Sequence, residues 1–377
     1  MALKTIGLIV NPFAGIGGKV GLKGSDGERI RHKAFQLGAI PEAHLKAMRT
    51  LAVLRDRCPD IKIITYPGKM GFEEADEFGF DIEVIDSGNI GETTSEDTMK
   101  AAEIMLQRGV DMIVFAGGDG TARDVCSVVG TETPVMGIPA GVKIHSGVYG
   151  TTPERAGEAA AMYLLGKGSI RLAEREVMDI DEDAVRADRV SARLYGYMKV
   201  PFEKQLVQSA KAGSSMSEQA AAVDIASGIV YRMKPDEYYF IGAGTTTREI
   251  LNTLNLPHTL LGIDIVKAGQ LIVKDANERD LLDIIHREGG KRCNIIVTII
   301  GGQGYLFGRG NQQFSAEVIN AVGKDRITVA ATEEKILGLG GKPLIIDTGD
   351  KETDMKLCGH TGIVTGNRKR VAYRIEC

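Results

Sequence analysis

The run GGDGT (Gly117–Thr121) sets one aspartate among three glycines, and those residue types admit few chemistries. Glycine loses more chain entropy on ordering than any other residue, so such a cluster does not serve stability. Bare backbone between a strand end and a helix start presents N–H groups to an anion, and the helix N-terminus adds a favourable field. A carboxylate in the same turn would repel that anion, so Asp119 needs another role. Three are open to it: taking a proton from an attacking hydroxyl, helping to hold a magnesium–phosphate unit, or capping the following helix.

Other stretches carry similar groups. GIGGKVGLKGSDG (Gly15–Gly27) places Lys19 and Lys23 among glycines, which suits either a wrap around an anionic ligand or a mobile surface loop. GVKIHS (Gly141–Ser146) puts Lys143 and His145 just after a glycine turn, facing a cleft or open solvent. GGQGYLFGRGNQQ (Gly301–Gln313) offers Gln303, Arg309, Asn311 and Gln312. Those groups fit hydrogen bonds to an adenine, a ribose or a phosphate, and a wide hairpin is the plainer reading. Asp264 and Asp347 each end an apolar run and read as turn formers or caps. No set of residues has metal-ligand spacing.

The elements that must position these groups follow from periodicity. TIGLIV (Thr5–Val10), DIKIITYP (Asp60–Pro67), DIEVID (Asp81–Asp86) and DMIVFA (Asp111–Ala116) read as strands. Before the last of these, Thr93 and Glu96 stand at capping-box spacing, Met99, Ala102, Met105 and Leu106 recur at helical spacing, and Gly109 ends the run. After GGDGT, Val125, Val128 and Val129 continue a helix. Strand, turn and helix in alternation imply a parallel sheet with ligands at the carboxyl ends of its strands. Near residue 165 the texture changes. SIRLAEREVMDIDEDAVRADRVSARLYGYMKVP reads as antiparallel strands with one wet face, and KQLVQSAKAGSSMSEQAAAVD as a loop plus helix. YYFIGAGTTT, NIIVTIIGGQG, DRITVAAT and PLIIDTGD return as short strands with turns, and the tail from Gly362 reads as a hairpin. The chain therefore divides into residues 1–165 and 166–377.

With 377 residues, a net charge of −4 and no long apolar run, the expectation is a two-domain protein without a membrane span. An acidic balance, no tryptophan and few aromatics argue against nucleic-acid binding. Five scattered cysteines without a CxxC pair, and an N-terminus that reads as a strand, point to a reducing cytoplasm. Neither a Walker A motif nor a complete GxGxxG is present, which disfavours a P-loop kinase and an ordinary dehydrogenase.

GGDGT, together with NPFAG (Asn11–Gly15), GIPAG (Gly137–Gly141) and GAGTTT (Gly242–Thr247), resembles the four ordered elements of the NAD kinase and diacylglycerol kinase superfamily. GGKVGLKGSDG, GVKIHSG, TLLGID and IGGQGYLFGRGNQQ extend the resemblance to the ATP-NAD kinase-like subgroup, related to the acetoin-catabolism X protein, over nearly the whole chain.

The resemblance implies an N-terminal Rossmann-like parallel α/β nucleotide-binding domain and a β-rich, β-sandwich-like C-terminal domain, with the active site between them. It implies an ATP- or polyphosphate-dependent kinase that uses magnesium and phosphorylates NAD to NADP, with Asp119 as general base. Asn11, Pro12, Gly117, Gly118, Gly120, Thr121, Gly141, Lys143, His145, Gly244, Thr245, Thr246, Thr247, Gln303, Arg309 and Asn311 would bind nucleotide or phosphate. A cytoplasmic homo-oligomer is also implied. One departure bears on the acceptor: between Gly168 and Gly244 no Asn-Glu or Asn-Asp pair stands where the family grips a ribose, and Asp224 is the nearest residue of that kind. Asn277-Glu278 comes too late and reads as a helix cap. Two alternatives therefore accompany NAD kinase: a kinase of the same fold for another small hydroxyl metabolite, and a non-catalytic nucleotide-binding regulator.

Overall fold

The alternating signals of the first 165 residues fold as expected. The computed structural model describes residues 3–22, 27–86, 93–142, 144–166, 170–180, 192–202, 216–259, 261–300 and 304–376. Lys23, Lys143 and Gln303 lie outside the described residues.

In chain order the first unit runs β1 (Thr5–Val10), α1 (Glu28–Gln36), α2 (Ala43–Arg57), β2 (Lys62–Thr65), α3 (Phe72–Asp76) and β3 (Asp81–Val84). It continues with α4 (Ser95–Gln107), β4 (Met112–Gly117), α5 (Asp119–Val129), β5 (Val135–Pro139) and α6 (Pro153–Leu164). Its five strands pair in parallel in the order β3-β2-β1-β4-β5. Every residue of β4 is buried, because helices cover both faces of the sheet. On α2 the buried residues Ala43, Ala47, Thr50, Leu51 and Leu54 recur at helical spacing.

One boundary is shifted from the sequence reading. The capping box of α4 is Thr94 with Asp97, whose carboxylate accepts from the Thr94 amide at 2.8 Å, rather than Thr93 with Glu96. The buried face moves with it, so Thr98 and Ala101 join Ala102 and Met105. Gly109, with φ +64°, lies just beyond the helix.

The expected antiparallel pair is present as β6 (Arg171–Ile180) and β7 (Ala192–Phe202). Its inward residues Val177, Met198 and Val200 belong to the hydrophobic core of the first sheet.

The β-rich second domain follows as α7 (Met216–Arg232), β8 (Tyr238–Ile241), α8 (Thr245–Thr253), β9 (Ile263–Lys267), β10 (Gln270–Ala276), α9 (Glu278–Glu288), β11 (Cys293–Val297) and β12 (Tyr305–Phe307). Next come α10 (Ala316–Val322), β13 (Ile327–Ala330), α11 (Glu333–Gly338), β14 (Leu344–Ile346), α12 (Lys351–Leu357), β15 (Gly359–Val364) and β16 (Arg370–Glu376). These strands form one nine-stranded mixed sheet, in which β8, β11, β13 and β15 run parallel and β15–β16 is the tail hairpin. Side chains alternate between its faces. Tyr238 and Phe240 pack with Leu281, Ile285 and Val318 of α9 and α10, whereas Tyr239 and Ile241 pack with Ile225, Ile229 and Ile250 of α7 and α8. Burial on both faces explains why NIIVTII reads as a continuous apolar run.

Asp264 lies inside β9 rather than at a strand end. It is 1% exposed and accepts from the amides of Thr259 and Asp275, which makes it a turn former. Asn277 caps α9 by accepting from the Asp280 amide. Cys58, Cys126 and Cys293 are free thiols, while Cys358 is disulfide-bonded.

Candidate active site

Adjacent strands β1 and β4 lie where the strand order of the first sheet reverses, and the crevice outside their carboxyl ends is the ligand position for such sheets. Asn11-Pro12 leaves β1 there and Gly118-Asp119 leaves β4, so the first two family-like motifs face each other. The Asn11 amide donates to the Ala116 carbonyl at 3.0 Å, and Asn11 Nδ2 donates to Thr121 Oγ1 at 3.1 Å. Asn11 Oδ1 accepts from the Phe13 amide, which closes the turn. Asn11 and Thr121 thus lace the two turns together.

The glycines permit backbone contact between three loops. A Cβ on Gly141 would lie 2.6 Å from Gly118 Cα, one on Gly15 would strike the Ala140 carbonyl, and one on Gly117 would strike Thr121. The Gly117 carbonyl accepts from the amides of both Ala140 and Gly141. Gly137 is pressed against the ring of Tyr149, whose hydroxyl donates to the Gly118 carbonyl at 2.5 Å. NPFAG, GGDGT and GIPAG therefore form one surface of bare peptide. The first intrahelical bond of α5 runs from Ala122 to Gly118, which leaves the amides of Asp119, Gly120 and Thr121 at the helix mouth.

Asp119 is 7% exposed and is not bonded to its own helix. Its Oδ2 accepts from the His145 amide at 2.8 Å and lies 3.3 Å from His145 Nδ1. Its Oδ1 accepts from the Ser146 amide at 3.0 Å and from the Ser146 hydroxyl at 2.6 Å. The Ser146 hydroxyl in turn accepts from the Met178 amide of β6. Burial, with Asp119 adding to it, holds the Tyr149 phenol well above its ordinary pKa, so it stays a donor.

The second domain closes over this surface. Gly310 and Gln312 both donate to the Val142 carbonyl, and the Glu278 amide donates to the Lys19 carbonyl. The glycine-rich segment is thus folded against α9, and Gly18 and Gly21 line a small crevice of about 10 Å³ with Val142, Gly310 and Gln312. Lys19 itself pairs with Glu42 at 2.6 Å. Arg309 is 4% exposed, and its Nη1 and Nη2 have no hydrogen-bond partner among the described residues. Burial pulls its guanidinium below the ordinary value, while Tyr305, Asp119, Tyr149 and Asp347 pull the other way. Asn311 is oriented by a bond from its Nδ2 to the Leu306 carbonyl.

Across the junction, Arg49 of α2 grips Glu154 through Nε and Nη2 and donates from Nη1 to Asp347 at 2.8 Å. Asp347 therefore joins the domains instead of merely forming a turn. Arg49, Ser146, Tyr149 and Lys46 escaped sequence reading; only their nearness to glycine turns or a helix stripe could have flagged them.

GAGTTT is placed differently. It ends β8 and opens α8, with Gly244 at φ +138°. Lys335 donates to the hydroxyls of both Thr245 and Thr246, and Thr247 donates to the Gly244 carbonyl. Gly242 packs on Phe314, within the second domain, and no hydrogen bond among the described residues joins the motif to Asp119. Among the described residues no cluster of three or more His, Cys, Asp or Glu could hold a metal, and no helix is long and apolar enough to cross a membrane.

Two family models cover most of the chain. The ATP-NAD kinase N-terminal domain matches residues 6–167 and the ATP-NAD kinase C-terminal domain matches residues 216–375. No curated protein matches the chain.

Proposed function

The chain belongs to the ATP-NAD kinase family, and from that premise we propose that it transfers the terminal phosphoryl group of ATP, or of polyphosphate, to a hydroxyl of NAD, giving NADP. The observation that carries this reading is the Asp119 carboxylate, held at the sheet's switch point by His145 and Ser146 and not by its own helix.

Asp119 and His145 act as the proton-accepting pair. With Nδ1 donating to Asp119, the lone pair of Nε2 is free to take the hydroxyl proton. His145 is the more exposed partner, at 19% against 7%. The acceptor oxygen bonds to the γ-phosphorus as the bond to the bridging oxygen breaks and ADP leaves. The free amides of Asp119, Gly120 and Thr121 would receive nucleotide phosphate, with Gly117, Gly118 and Gly141 keeping side chains out of its way. Asn11 and Pro12 shape the opposite wall, and Arg309 supplies positive charge from the second domain. Both Asp119 oxygens are already engaged, so magnesium would be held chiefly by the nucleotide phosphates, whose charge it neutralises when bound.

A second reading, a kinase for another small hydroxyl metabolite, is favoured by Asp224. That acid accepts from the Asn367 amide at the β15–β16 turn, where it lines a pocket with Glu218, Thr332 and Asn367, and no hydrogen bond among the described residues joins it to the Asp119 site. Incubation of the purified protein with labelled ATP and magnesium, against NAD and a panel of small alcohols, decides between the readings. Transfer to NAD supports the first, transfer only to another alcohol supports the second, and transfer to none removes the kinase assignment.

A further inference from the structure

Arg309 raises a question that catalysis at Asp119 leaves open: why a guanidinium is buried with neither Nη1 nor Nη2 hydrogen-bonded among the described residues. An unpaired buried charge costs several kcal/mol, and proteins bury arginine where a planar anion is to be met. The nearest protein anions are committed elsewhere. Asp119 is occupied by His145 and Ser146, and Asp347 Oδ1 by Arg49. The Tyr305 ring lies 5.4 Å from the guanidinium carbon, which occupies one face and leaves the N–H edge for a ligand.

A second cation stands next to it. Lys46 lies on α2 one turn before Arg49, on the stripe that faces Asp347. Gly308, just before Arg309, has φ +87° and is pressed on the Asp347 carbonyl, so the arginine loop and this stripe meet at Asp347. The Lys46 ammonium makes no hydrogen bond among the described residues. Burial lowers its pKa, Asp347 opposes that, and the nearby Arg309 charge lowers it further. Two like charges, one from each domain, are thus brought together around Asp347, whose Oδ1 is already bonded to Arg49, and neither cation has a side-chain hydrogen bond to it among the described residues.

We propose that Lys46 and Arg309 form an anion subsite at the domain junction, built to take a diphosphate group across the two domains. The subsite rests on the kinase reading only for the identity of its occupant, a diphosphate-bearing substrate. Arg309 offers a fork to one phosphate and Lys46 a point charge to the other.

The test is calorimetric titration of the full chain with inorganic pyrophosphate, without nucleotide or magnesium. Wild type binds, Lys46→Met and Arg309→Met each weaken binding by about tenfold or more, and Lys46→Arg retains most of it. Unliganded Arg309→Met keeps or raises its Tm, since an apolar chain replaces an unpaired charge; a merely structural arginine would lower it. Should Arg309→Met fail to fold, the Lys46 variants still decide. Unchanged pyrophosphate affinity in Lys46→Met, or no binding by wild type, overturns the subsite. A wild type that binds pyrophosphate through both cations but transfers no phosphate keeps the subsite and discards the kinase reading; active protein with unaltered binding in the variants does the reverse.

Discussion

Asp119 Oδ1 takes two hydrogen bonds from one residue 27 positions later, the amide of Ser146 at 3.0 Å and its hydroxyl at 2.6 Å. The same hydroxyl accepts from the Met178 amide, so a strand outside the first sheet helps to aim the carboxylate. Orientation of Asp119 is therefore a property of three separate segments. Ser146→Ala removes one donor to Asp119 and orphans a backbone N–H. Loss of about 1–3 kcal/mol of stability is expected, with kcat falling more than KM for ATP rises. Equilibrium unfolding and steady-state kinetics measure both, and an unaltered kcat would separate Ser146 from the chemistry.

Asp119→Asn keeps shape while removing charge. A fall in kcat of about 10²–10⁴ is expected, with nucleotide affinity retained. His145→Gln should lower kcat by about 10²-fold or more with nucleotide affinity retained, because glutamine offers no Nε2 lone pair to take the proton. A His145→Gln enzyme with wild-type kcat would return the proton to Asp119 alone.

Gly141→Ala tests the contact between glycine loops. The added methyl would sit 2.6 Å from Gly118 Cα, where backbone must shift. A loss of about 1–3 kcal/mol is expected, together with weakened ATP binding. Gly338→Ala, with nothing within 4 Å of its Cβ position, is the control and should stay within about 1 kcal/mol of wild type. Equal Tm values for the two variants would contradict close approach at Gly141.

Glu74 gives a pH signature away from the site. It is 3% exposed, Oε2 has no partner among the described residues, and burial raises its pKa from 4.5 to about 7. A raised carboxyl contributes full stability below its ordinary value, and that contribution is lost as pH climbs through the folded value. Glu74→Gln should therefore be near neutral at pH 4.5 and stabilising by about 1–3 kcal/mol at pH 8. Thermal unfolding across this range checks the sign; a stabilisation that does not grow with pH would refute it.

Much of this protein is legible in its residues. Strand runs such as TIGLIV and DMIVFA announce themselves because both their faces are buried, and Gly109 marks the end of α4 because it adopts a conformation that side chains resist. The glycines of GGDGT announce close backbone approach, since no local need explains them. Lys46 and Arg49 carry no such mark: a cation on a helix reads as a solvated face until the partner surface is known. The capping box is Thr94–Asp97 and not Thr93–Glu96, because both pairs have the same spacing and only the course of the backbone, extended at Thr94 and helical from Ser95, chooses between them.

The order of elements, the glycine turns and the acid they hold can be read from the residues alone, because propensity, periodicity and backbone freedom act over a few residues. Tertiary structure alone decided that Ser146 aims Asp119, that Asp347 belongs to a junction, and that Arg309 and Lys46 stand together. Those relations join residues far apart in the chain, and hydrogen bonds and charges act on distance in space, which spacing along a chain does not encode.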